Sequence, residues 1–330
     1  MLHQYLSNRS SLVVKAALAA AACVAFAAAH ARASLVVYEP YNYGLAQGTT
    51  MTGVTTNAVG LTGAYTDTNV INSPNDVSVN DVTYNTSSMH FGDLQTQGGS
   101  ITSNPNGGKP IFSIGLSSSD LSAFSSGTVY GSFLVSTNAN QLGTNGSGSG
   151  YVDGMLFGTS TSDDNSSIIN ISPISWGQNY GQIRVGSVAA AGTGTQLAIN
   201  TPYLELFQIS ININTGAINA SSWTLSASQF ANFQGNLTAA NLDSASTGTG
   251  SNQITEEAFA SGTDSGILSS LETITNMSLF SFGSTGTYDE IRMSNASLAE
   301  TAPVPEPATL GLFAVGAAGL LLLLKRRKAV

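Results

Sequence analysis

The chain has 330 residues, of which 42% are hydrophobic and only 9% charged, with 35 glycines, one cysteine and a formal net charge of −9. Charged side chains make up about a quarter of an average soluble domain, which argues against a coiled coil or a nucleotide-handling cytosolic enzyme, and the apolar share is too large for a disordered chain. Residues 34–304 hold three cations (Lys109, Arg184 and Arg292) against 18 acids, a net of −15, so nucleic acid is not an expected partner: its affinity comes from cations that neutralise phosphates.

Residues 1–33 begin with Arg9 and Lys15, continue through an apolar run from Ala16 to Ala29 and end on Ala31-Arg32-Ala33, the small-x-small pattern that signal peptidase accepts. They are expected to be a signal peptide that passes through the Sec translocon and is cut beside Ala31 and Ala33. Cys23 would leave with it, so the mature chain would have no thiol and no disulfide.

From residue 34 onward the pattern is that of strands. Alternation predicts strands over Leu35–Tyr38, Val77–Tyr84, Ile111–Leu116, Thr128–Ser136, Tyr151–Gly158 and Ile183–Val188. It is clearest from Tyr203 to Ile213, where Phe207, Ile209, Ile211 and Ile213 share one face and Gln208, Ser210 and Asn212 the other. Asn214-Thr215-Gly216 then predicts a turn back through Ala217-Ile218. Trp223–Ser226, Met277–Phe282 and Tyr288–Met293 follow as strands, and Ser228–Gln234 and Ile254–Ala260 as two-turn helices. Asn138–Gly150 and Ser244–Asn252 are Gly-rich, polar loops. Many short strands, little helix and no linker or fixed repeat predict an all-β, two-sheet antiparallel sandwich over 34–303.

Val37-Tyr38-Glu39-Pro40-Tyr41-Asn42-Tyr43, followed by Gly60-Leu61-Thr62-Gly63-Ala64-Tyr65, resembles the opening of concanavalin A-like (LamG-like) jelly rolls. Tyr288-Asp289-Glu290-Ile291-Arg292-Met293 resembles their closing strand. The resemblance implies that the first and last strands pair. Tyr65 departs from it, because tryptophans are common in that opening segment.

Some jelly rolls of this class are glycoside hydrolases, which need two facing carboxyls. The Glu-x-Asp-x-x-Glu form is absent here. Glu256-Glu257 and Asp289-Glu290 are adjacent pairs whose members would point to opposite faces of a strand, and they read as solvated loop or rim acids. No cofactor is expected. His90 is the single histidine past the signal segment, so a histidine-thiol metal site or a nucleophilic triad has no support. Calcium on Asp153, Asp163 and Asp164, beside Asn165, is the metal reading these residue types allow. For sugar binding the candidates are Trp176, Tyr180 and Trp223, with Gln178 and Asn179 beside the first two, because flat rings stack on pyranose faces and amides bond hydroxyls.

At the C-terminal end Val304-Pro305-Glu306-Pro307 is a stiff, extended spacer. The uncharged run Ala308–Leu324 follows, about 25 Å long as a helix, and then Lys325-Arg326-Arg327-Lys328. The run predicts a transmembrane helix over 308–324, with the basic tail as a membrane stop on the cytoplasmic side. Pro305-Glu306-Pro307, an apolar helix and a basic terminus together resemble the PEP-CTERM sorting signal of Gram-negative bacteria that make extracellular polysaccharide. The resemblance implies a substrate of an exosortase, held briefly in the inner membrane, cleaved near Pro305–Pro307 and passed to the cell surface or matrix. The sequence thus points to a non-catalytic exported protein associated with extracellular polysaccharide. A secreted hydrolase or lyase of the concanavalin A-like class, and an inert surface protein on a permanent anchor, are the alternatives.

Overall fold

The computed structural model describes residues 35–302 except 70–81, 93–95, 97, 105–109, 118–126, 139–151, 159–167, 175–180, 213, 249–252, 264–273 and 283. The expected signal peptide, sorting signal and transmembrane helix therefore lie outside the described residues. Among those described, no helix is long and apolar enough to cross a membrane.

The strands are β1 (Leu35–Glu39), β2 (Leu61–Asn69), β3 (Val82–Asn85), β4 (Ser100–Ser103), β5 (Pro110–Leu116), β6 (Gly127–Thr137), β7 (Val152–Gly158), β8 (Ile169–Ile174) and β9 (Gln182–Val185). They continue as β10 (Val188–Ala191), β11 (Thr193–Gly194), β12 (Tyr203–Asn212), β13 (Ala217–Leu225), β14 (Ser246–Thr247), β15 (Gln253–Ile254), β16 (Glu256–Thr263), β17 (Asn276–Phe282) and β18 (Gly286–Ser294). Three short helices, α1 (Ala227–Phe233), α2 (Ala239–Asp243) and α3 (Leu298–Thr301), complete the set.

One antiparallel sheet runs β11-β16-β13-β12-β6-β18-β4-β3 with β1 added beside β18, and a second runs β10-β9-β8-β7-β17-β5-β2. The chain crosses between them at β1 to β2, β2 to β3, β4 to β5, β5 to β6, β6 to β7, β10 to β11, β16 to β17 and β17 to β18. Leu35 lies opposite Ser294, and Glu39 opposite Ile291, so the first and last strands pair. This winding is a jelly-roll sandwich.

Alternation sets the layers. In β12, Phe207, Ile209 and Ile211 face the core between the sheets, with Phe133, Val135, Phe157, Ile171 and Met277. Leu204 and Leu206 point the other way, where Trp223, Leu225, Phe230 and Phe233 join them in a second cluster under α1 and α2. Burying each such side chain contributes about 1.5–3 kcal/mol. A capping box fixes α1 on this face: Ser226 Oγ accepts from the Gln229 amide at 3.3 Å, and the Ser226 amide donates to Gln229 Oε1 at 2.8 Å. Gly131 of β6 lies opposite Phe207, whose ring fills the space that a Cβ would need.

Several expectations change. Ile254–Ala260 is extended, not helical, because its burial alternates: Glu256, Ala258 and Ala260 are buried and Phe259 exposed. Ile183–Val188 is two strands, β9 and β10, folded at Gly186, whose φ of 55° suits glycine. The predicted 203–213 strand ends at Asn212 and turns back through Gly216 at φ 68°.

Candidate functional site

The two opening segments meet at one carboxylate. Glu39 is fully buried, and its oxygens accept from the Tyr41 amide at 2.6 Å, the Tyr43 hydroxyl at 2.5 Å and the Tyr65 hydroxyl. Tyr65 stacks on Phe112 with ring centroids 4.4 Å apart. Burial raises the Glu39 pKa above the usual carboxylate value, against the pull of these donors.

The closing strand carries a second buried acid cluster. A bulge between Asp289 and Arg292 breaks the alternation, with Glu290 at φ 51°. Asp289 accepts from Ser88 Oγ at 2.5 Å and the Met89 amide at 2.7 Å, and burial drives its pKa well up. Both Asp289 and Glu290 are buried, so the solvated-rim reading of this pair does not hold. These donors do what solvent would have done for the carboxylates.

Inside the sandwich lie three more acids. Glu205 is fully buried on the core face of β12; Thr224 Oγ1 donates to its Oε2 at 2.6 Å, while Oε1 has no partner among the described residues. Burial pushes its pKa up to about 7. Glu205 is paired with Thr224, and Thr224 with Glu256, so two carboxyls share one face two strands apart. Glu256 Oε2 accepts from the Gly181 amide at 2.9 Å, and Glu256 is 2% exposed. Both acids are thus buried. Sequence reasoning passed over Glu205, although its parity with Tyr203 and Phe207 places it inward.

Asp153 does not sit in an open calcium loop. It is fully buried on β7, Ser284 Oγ donates to its Oδ2 at 2.7 Å, and burial pushes its pKa up to about 6. Asp163 and Asp164 lie outside the described residues. Among those described, no group of three or more His, Cys, Asp or Glu could hold a metal. Trp223 is likewise corrected: it is 1% exposed beneath the helices, and its indole N–H donates to Asp243 Oδ1 at 3.1 Å, so it offers no face to a sugar. Trp176 and Tyr180 lie outside the described residues, as do Pro305, Glu306, Pro307, Ala31, Ala33 and Lys325 to Lys328.

Beyond the helix-covered cluster, at whose edge Tyr130 packs, the outer face of the nine-stranded sheet has a different character. Along a single register row across four adjacent strands stand Tyr130 (β6), Gln208 (β12), Ser221 (β13) and Phe259 (β16). The next row is Thr128, Ser210, Asn219 and Ser261. Neither row contains a charged residue. All eight side chains are half-buried or exposed, and Phe259 is 56% exposed.

Among solved structures, the binding domain of botulinum neurotoxin serotype C1 is 6% identical, with a TM-score of 0.37 over 77% of this chain and 50% of that one. The catalytic domain of a GH131 beta-glucanase from Podospora anserina is 12% identical, with a TM-score of 0.34 over 66% of this chain and 82% of that one. Lectin I from Ulex europaeus, solved with the methyl glycoside of alpha-L-fucose, is 9% identical, with a TM-score of 0.31 over 76% of this chain and 96% of that one. The chain spans about half or less of the length of the neurotoxin domains it matches. No curated protein matches the chain. Residues 303–328 match the PEP-CTERM protein-sorting motif. The chain thus carries the sorting signal of an exported, exosortase-processed protein bound for the cell surface.

Proposed function

We propose that the jelly-roll domain is a non-catalytic binding or matrix component that, once processed, stays with extracellular polysaccharide. In this reading residues 308–324 halt briefly in the inner membrane with Lys325–Lys328 on the cytoplasmic side. Cleavage near Pro305–Pro307 then frees the domain. The observation that carries the polysaccharide reading is the open sheet face: aromatic, amide and hydroxyl side chains without charge, in a stretch of net charge −15. Such a face suits sugar hydroxyls and pyranose rings.

The test is retention of the processed protein on its host's own polysaccharide, with and without EDTA. Retention that EDTA leaves intact is expected; passage straight through the column overturns the reading. Full-length protein persisting in the inner membrane of a strain with a working exosortase overturns the sorting route. A hydrolase is the second reading, favoured by Glu205 and Glu256 facing one way in register. It requires those buried acids to become accessible, and release of reducing sugar from the native polysaccharide would support it.

A further inference from the structure

We propose that the binding surface is the outer face of the nine-stranded sheet from the edge of the helix-covered cluster to β16, and that it takes a neutral, extended glycan lying across the strands with sugar rings on Phe259 and the half-buried Tyr130. This rests on the polysaccharide reading above and narrows it to one face and one ligand class. Four consecutive strands hold Tyr130, Gln208, Ser221 and Phe259 in register. With neighbouring strands about 4.8 Å apart, the two aromatic positions are separated by about 14 Å. That is too far for one sugar ring to touch both, and it matches a short run of linked rings.

Phe259 is the decisive residue. It stands 56% exposed while Ala258 and Ala260 on either side of it are buried, so the pleat of β16 aims it outward. More than half of the ring therefore contributes no burial to the fold. Between the two rings, the Gln208 amide and the Ser221 hydroxyl offer both donors and acceptors, and neither is bonded to another described side chain. In the adjoining row Thr128 Oγ1 and Ser210 Oγ already satisfy each other at 2.9 Å, while Asn219 adds a second exposed amide.

Both rows lack charge, and the groups beside them, Glu257 two residues from Phe259 and Glu300 bonded to Ser294 opposite Tyr130, add only carboxylates. An anionic glycan would find no cation here and would meet the repulsion of a −15 stretch. A protein partner would want a desolvated apolar centre ringed by polar groups. Here the polarity is reversed, with amide and hydroxyl in the centre and aromatic rings at the two ends.

The experiment is affinity electrophoresis of the processed protein through gels containing laminarin, a neutral glucan, or alginate, an anionic one. It is run beside column retention on the host polysaccharide, with Phe259→Ala and Tyr130→Ala as variants. Thermal melts and sedimentation establish that each variant is folded and unchanged in oligomeric state. Wild-type protein should be retarded by laminarin and not by alginate, and each variant should lose about tenfold in affinity, as expected for about 1.4 kcal/mol. Host polysaccharide held equally by wild type and both variants would overturn this face while leaving the polysaccharide reading standing. Preference for alginate would overturn the neutral class. Retention on none of the three matrices would overturn both readings, and a change of oligomeric state in Phe259→Ala would reassign the face to self-association.

Discussion

Arg292 holds Glu290 across the bulge of the last strand: its Nε and Nη2 both donate to Glu290 Oε2, at 3.0 and 2.7 Å. The same guanidinium lies 5.0 Å from the centre of the Tyr38 ring, and its Nη1 donates to the Ala302 carbonyl at 3.1 Å. Ser132 Oγ binds the neighbouring Thr301 carbonyl, and Ser294 Oγ donates to Glu300 Oε2 at 2.7 Å. One side chain thus ties together the first strand, the last strand and α3. Replacing Arg292 by Met leaves Glu290 buried without its cation, and the expected loss is about 3–5 kcal/mol. Urea unfolding measures it. The double variant R292M/E290Q should recover part of the loss, and no recovery would show that packing against Tyr38, rather than charge, dominates.

The buried acids make stability depend on pH in an unusual direction. Folded pKa values of about 7 for Glu205 and about 6 for Asp153 lie above those of the unfolded chain, near 4. Asp289 and Glu39 are shifted the same way. The folded state therefore holds more protons than the unfolded one between about pH 4 and 7, and stability falls as pH rises through that window. Unfolding midpoints should be higher at pH 5 than at pH 8. In Glu205→Gln the profile should flatten and the pH 8 stability should rise. A midpoint that climbs steadily from pH 5 to 8 would contradict these assignments.

Gly131 and Phe207 form a second, purely steric pair. A methyl group at residue 131 would collide with the Phe207 ring, which is itself packed against Phe133 and Phe157. Gly131→Ala should cost about 1–3 kcal/mol through displacement of that ring. The companion Gly131→Ala/Phe207→Leu should recover a share of it, read from the same denaturation curves.

Trp223 provides an optical check of its placement. Its ring is buried against Leu225 and Phe230, so Trp223→Ala should cost about 3–5 kcal/mol. In Trp176→Phe, which leaves Trp223 as the one remaining tryptophan, fluorescence should be blue-shifted and shielded from acrylamide quenching.

Strand character was legible wherever alternation was clean. Residues 207–212 show this best, since Phe207, Ile209 and Ile211 face the core and Gln208, Ser210 and Asn212 face away from it. At 254–260 the same rule was obscured, because Glu256 sits on the buried face and Phe259 on the open one, inverting the usual pattern. The first inversion has a physical cause in the Gly181 amide that donates to Glu256, and the second leaves Phe259 56% exposed. The sorting signal was legible because its logic is local, three elements in fixed order. The aromatic row was not, since Tyr130, Gln208, Ser221 and Phe259 become neighbours only through registers joining strands far apart in sequence.

The last strand has consequences for when the domain can fold. β18 is the partner of β1, a flank of β4 and a flank of β6. Until residues 286–294 are present, β1 has no ladder to join and β6 keeps one open edge. Closure must bring together segments roughly 250 residues apart, which is slow in chains dominated by distant contacts. Completion of the larger sheet is thereby deferred until nearly the whole domain has been made.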